Sequence, residues 1–111
     1  NAQIKVDPET FLELILIHMN AGNWKGYKFS LTRELTYDDL LKIDSNAYHV
    51  DRIGRTHRGP LYGIQTTDGT TECQLSVMRL DSGDFTVAGN IRKYGDRDEE
   101  NSPNRGEGQV A

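Results

Sequence analysis

The chain has 111 residues, 35% of them hydrophobic and 27% charged, with a formal charge of −4. This is the composition of one ordinary globular domain with a modest core, and its acidity argues against coating nucleic acid through bulk charge. Its single cysteine, Cys73, excludes an internal disulfide and a cysteine-based zinc site and suits a reducing, cytoplasmic setting, while the longest apolar run, Leu14 to Ile17, is too short to span a bilayer.

Residues 1–2, Asn-Ala with no starting methionine, read as a cloning scar. The next stretch, "VDPETFLELILIHMNAG", carries the marks of a helix over 8–21. Asp7 stands at the cap, Pro8 at the first helical position where its missing N–H is harmless, and Gly22 at the left-handed stop. Phe11, Leu12, Leu14, Ile15, Leu16, Ile17 and Met19 make it apolar on nearly every side, so it should be largely buried. That excess of apolar surface also makes this helix a candidate homodimer contact. Trp24 follows between two glycines, where an aromatic either closes the core edge or anchors a partner.

In "GYKFSLT" the apolar Tyr27, Phe29 and Leu31 alternate with polar residues, the period of a half-buried strand. Thr36 then caps a short helix running to about Asp44, with Asp39 three residues after the cap. Further on, "TTDGTT" reads as a two-residue hairpin turn at Asp68-Gly69, and "LDSGD" as a three-residue turn with Gly83 left-handed. Counting outward from these turns pairs Ile64 with Cys73, Tyr62 with Leu75, Val77 with Val87 and Cys73 with Ile91. Both registers give one apolar face, and on the other Glu72 opposes Arg92 and Gln74 opposes Asn90. The expectation is an α+β domain over 3–94 in the order α-β-α-β-β-β, its long N-terminal helix packed on an antiparallel sheet that ends in a three-stranded meander over 60–93. From Gly95 the chain reads as a charged polar tail or linker, 95–111.

The segment between the second helix and the meander, "YHVDRIGRTHRG", gathers Arg52, Arg55, Arg58, His49 and His57. One reading makes 46–54 a third helix, with Val50 and Ile53 inward and Arg52 and Arg55 outward. "LLKIDSNAYHVDRIGR" then has a partial likeness to a helix-turn-helix, departing from it at Leu40 and Asp44. A plainer reading is an exposed connector whose arginines pair with Asp51, Asp44 or helix-end carbonyls. Another joins His49 and His57 as base and acid beside the arginines, giving a metal-independent ribonuclease or toxin domain.

His18 reads as a helix-end histidine and Cys73 as a buried core residue; neither gives a metal or nucleophile signature, and no cofactor is implied. The balance favours a small non-enzymatic binding or regulatory domain, of the sort mobile elements encode. Its segment 49–58, through Arg52, Arg55 and Arg58 with Trp24 as a further contact, would meet nucleic acid or an acidic protein surface.

Overall fold

In the computed structural model, residues 4–94 are described. The readings of 1–2 as a scar and 95–111 as a tail lie outside those residues. Eight elements follow in order: β1 (Lys5–Val6), α1 (Pro8–Ala21), β2 (Gly26–Leu31), α2 (Tyr37–Leu41), β3 (Tyr48–Thr56), β4 (Gly59–Thr66), β5 (Thr71–Arg79) and β6 (Phe85–Lys93). The six strands form a single sheet ordered β1-β2-β6-β5-β4-β3, antiparallel except for β1 against β2. The fold is therefore α+β, with two strands more than the sequence reading allowed.

Helix α1 begins and ends where its punctuation places it. Gly22 takes φ +72 and its N–H bonds back to the last turn. Asp7 precedes the helix, but its carboxylate accepts from Thr32 Oγ1 at 2.9 Å instead of capping. Phe11, Leu12, Ile15 and Met19 are buried against the sheet, and Leu16 is half-buried beside Ile43 at the groove between α1 and α2. Ile17 is 62% exposed, so only part of the surplus apolar surface faces water. Gly89 admits the helix: a Cβ there would crowd Ile15 Cδ1 at 3.1 Å and Phe11 Cζ at 3.4 Å. Each fully buried aliphatic or aromatic side chain in this layer contributes about 1.5–3 kcal/mol.

The meander forms in the register counted from its turns. Ile64 faces Cys73, Tyr62 faces Leu75, Val77 faces Val87, and Glu72 faces Arg92. The first turn differs in detail. Gly69 N–H bonds to Thr66 C=O, so its central residues are Thr67 and Asp68, with Gly69 following at φ +76. Asp68 is held in that place by accepting from Thr66 Oγ1 and from Thr70 N–H and Oγ1. Glu72, expected in solvent, is only 8% exposed between its strand neighbours Gln65 and Arg92.

Helix α2 stops at Leu41, short of Asp44. The carboxylate of Asp44 accepts from Asn46 N–H at 2.9 Å, and its carbonyl accepts from Tyr48 N–H. Those local bonds compete with further helix and turn the chain into β3. Residues 48–56 are thus neither a third helix nor a connector, and the helix-turn-helix reading falls with them. They pair along β4 from Tyr48↔Thr66 to Thr56↔Gly59, with a bulge between Arg52 and Gly54.

Candidate functional site

The bulge decides which way the basic residues point. Arg52 pairs with Tyr62, Gly54 with Leu61 and Arg55 with Pro60, leaving Ile53 as the extra residue. Residues directly opposed share a face, so Arg52 lies with the buried Tyr62 on the α1 side. One unpaired residue makes a spacing of three act like a spacing of two, and Arg55 returns to that same face. Ile53 is turned to the other side, with its Cγ2 3.3 Å from where a Cβ of Gly63 would sit. Val50 and Ile53, read as one inner helical face, lie on opposite faces of the sheet.

Two adjoining open clefts share Glu34, Arg55 and Pro60. The first, about 590 Å³, also takes in Arg52, Gly54 and Tyr62. The second, about 410 Å³, adds His57, Arg58, Gly59, Arg79, Leu80 and Asp81. Four arginines and a histidine therefore surround one carboxylate, Glu34, with Asp81 at the outer edge. Asp81 is 97% exposed and meets Arg58 Nη1 at 3.4 Å, a solvent-screened pair of small worth.

Each element contributes its residue for a local reason. The β3–β4 turn is His57-Arg58, closed by Thr56 Oγ1, which accepts from Arg58 N–H at 3.1 Å and donates to Gly59 C=O at 3.3 Å. Arg58 C=O in turn accepts from Arg79 N–H, tying the tip to β5. That closeness requires glycine at 59, where φ is +154 and a Cβ would overlap the carbonyl oxygen of Val77. On the facing loop, Arg33 holds Glu34 by donating to its carbonyl at 3.0 Å. Arg33 is itself held by Asp39 through a bidentate pair at 2.8 and 2.9 Å.

Asp39 is 5% exposed, and Arg33 with the Thr36 N–H holds its pKa down to about 2 despite the opposing effect of burial. Beside the first cleft, the Arg52 guanidinium lies 4.0 Å over the Tyr37 ring, and Tyr37 packs against Tyr62. Burial raises the Tyr62 pKa, against the pull of Arg52 and Arg55.

Arg52, Arg55 and Arg58 are therefore brought together. Neither Asp51 nor Asp44 neutralises them: Asp51 lines the opposite face, Asp44 bonds within its own turn, and the Arg55 guanidinium makes no hydrogen bond or ion pair among the described residues. The two histidines are not brought together. His49 pairs with Gln65 on the face away from Arg52, and His57 sits at the hairpin tip, about 25 Å further along the strand. Trp24, 53% exposed, follows α1 at the end of the sheet where Gly26 meets Asn90, the end opposite the β3–β4 turn. It shares no site with the arginines.

Glu34, Arg79, Tyr37 and Tyr62 join the site without having been singled out, since nothing in their spacing ties them to segment 49–58. Cys73 is buried, which pushes its thiol up to about 12, in keeping with a packing role. No three of the His, Cys, Asp and Glu side chains among the described residues converge as a metal site would require. No helix among them is long and apolar enough to cross a membrane. No protein family, curated protein or solved structure matches this chain.

Proposed function

We propose that this protein is a small binding domain that holds the phosphates of a nucleic-acid strand in the paired clefts beside the β3–β4 turn. The observation that carries the reading is the bulge, which aims Arg52 and Arg55 to one side with Arg58 and Arg79 next to them. All four cations are arginines, whose planar forks match phosphate oxygens two at a time. Arg52 adds a feature that favours nucleic acid over an acidic protein face. Its guanidinium already lies 4.0 Å over the Tyr37 ring, and an arginine and an aromatic side by side are groups on which a base can stack. In a net-acidic protein, the arginines gathered along these two clefts give a polyanion a local positive surface to settle on.

The test is fluorescence anisotropy with a labelled single-stranded oligonucleotide across a salt series. A dependence of about −0.7 in the log–log salt slope per phosphate contacted predicts that Arg52→Ala/Arg55→Ala/Arg58→Ala lowers the slope by about 2. Unchanged affinity and unchanged slope in the triple variant would remove the arginines from any binding role. Binding confined to a polyglutamate peptide of equal charge would make the partner an acidic protein instead.

A further inference from the structure

Glu34 and His57 line one cleft together with Arg55, Arg58 and Arg79. We infer that this cleft also cleaves RNA, with Glu34 as general base and His57 as general acid; the inference rests on the nucleic-acid reading above and deepens it. Neither side chain is engaged elsewhere, since the Glu34 carboxylate and the His57 ring make no hydrogen bond or ion pair among the described residues. Both are nevertheless carried on fixed backbone. Leu35, next to Glu34, is fully buried, and the Glu34 carbonyl is gripped by Arg33, which Asp39 locks in place. The Thr56 hydroxyl pins the turn that presents His57. A carboxylate that accepts a proton, an imidazole that gives one and several guanidiniums around them are the groups that phosphodiester transfer needs without a metal.

Glu34 belongs to both clefts and His57 to the outer one only, which sets their roles. A strand lying across Arg52 and Arg55 brings a ribose 2′-hydroxyl to Glu34. The carboxylate takes the hydroxyl proton, and the 2′ oxygen forms a bond to the adjacent phosphorus. The bond from phosphorus to the 5′ oxygen breaks, and the His57 imidazolium gives its proton to that departing oxygen. The products are a 2′,3′-cyclic phosphate and a free 5′-hydroxyl. Glu34 then returns its proton to water and His57 regains one, so no further reactant enters. Arg55 and Arg58 face the charge that gathers on the non-bridging oxygens in the transition state. The chemistry demands a 2′-hydroxyl, so DNA is bound and left whole.

The experiment uses the full chain, a 5′-labelled RNA oligomer and the DNA oligomer of the same sequence, in the presence of EDTA. Products are resolved on denaturing gels and their ends identified by mass spectrometry. The expected result is cleavage of RNA alone, leaving 2′,3′-cyclic phosphate ends, with Glu34→Gln and His57→Ala each slowing it about 100-fold or more. Glu34→Gln should keep or tighten RNA binding, because a negative charge leaves the cleft, and yet lose cleavage, a split that a merely electrostatic role would not produce. Circular dichroism melts of both variants check that they fold; if Glu34→Gln melts early, Glu34→Asp, which keeps the carboxylate but shortens its reach, serves in its place and should also slow cleavage. RNA bound tightly but never cut overturns the catalytic inference and leaves the binding reading standing. Cleavage that both variants retain also overturns it. Failure to bind RNA or DNA at all defeats both.

Discussion

Replacing Asp39 with asparagine should destabilise the fold in a way that depends on pH. The carboxylate accepts two bonds from Arg33 and further bonds from the backbone N–H and hydroxyl of Thr36, all between 2.8 and 3.2 Å. These hold its pKa at about 2 instead of 3.8. The difference corresponds to about 2 kcal/mol of folding stability, an order-of-magnitude figure because Arg33 is 46% exposed. Since the folded pKa lies below the unfolded one, this stability is fully present above the unfolded value. It is lost as pH falls through about 2, with about half remaining at pH 3. The substituted amide has no charge to lose. Urea unfolding at pH 7 should therefore find Asp39→Asn less stable by about 2 kcal/mol, a drop in Tm of about 8–16 °C for a domain of this size. The gap should hold to about pH 5 and narrow steadily below pH 4. An equal gap at pH 7 and pH 3 would show that packing, not the charged pair, is what the substitution removes. No gap at pH 7 would refute the energetic role of the pair outright.

The remaining predictions concern backbone and core. Gly59→Ala should cost more than about 3 kcal/mol, because the methyl group would overlap the Val77 carbonyl as well as strain a positive φ. Gly69→Ala meets nothing within 4 Å and should cost only the left-handed penalty of about 1–2 kcal/mol, so thermal melts should rank the two clearly; equal losses would discount the close approach of β4 to β5. Cys73, with its thiol pushed up to about 12, should be silent to a chromogenic disulfide reagent in the folded protein and react once in denaturant. Rapid reaction under native conditions would contradict its placement in the core.

Much of this architecture is written locally. Helix α1 is bounded by Pro8 and Gly22, residues whose backbone preferences act without help from the rest of the chain. The meander register follows from two turns and a period of two, because any slip by one residue would turn Glu72 and Gln74 onto the helix-covered face in place of Cys73 and Leu75. Even the misplaced centre of the first turn leaves the register intact, since the four loop residues keep the same count between Thr66 and Thr71. Local pattern misleads at strand β3. Its bulge puts Arg52 and Arg55, three apart in the chain, on one side of the sheet, a spacing that imitates one face of a helix. Strand β1, two residues long, carries no pattern and exists only because β2 is there to pair with it.

By itself, then, the sequence determined the long helix, the meander, its core face and the presence of a concentrated basic segment. These depend on residues close in the chain, whose turn chemistry and periodicity suffice. Only the tertiary structure decided that Arg52, Arg55 and Arg58 line two adjoining clefts, that His49 is turned away from them, and that Glu34 enters both from another loop. The reason is physical. Which face a strand residue presents is set by its partner and by any residue left unpaired, and β3 has its partner in β4, while Glu34 is held by Arg33 and Asp39 on the far side of those clefts.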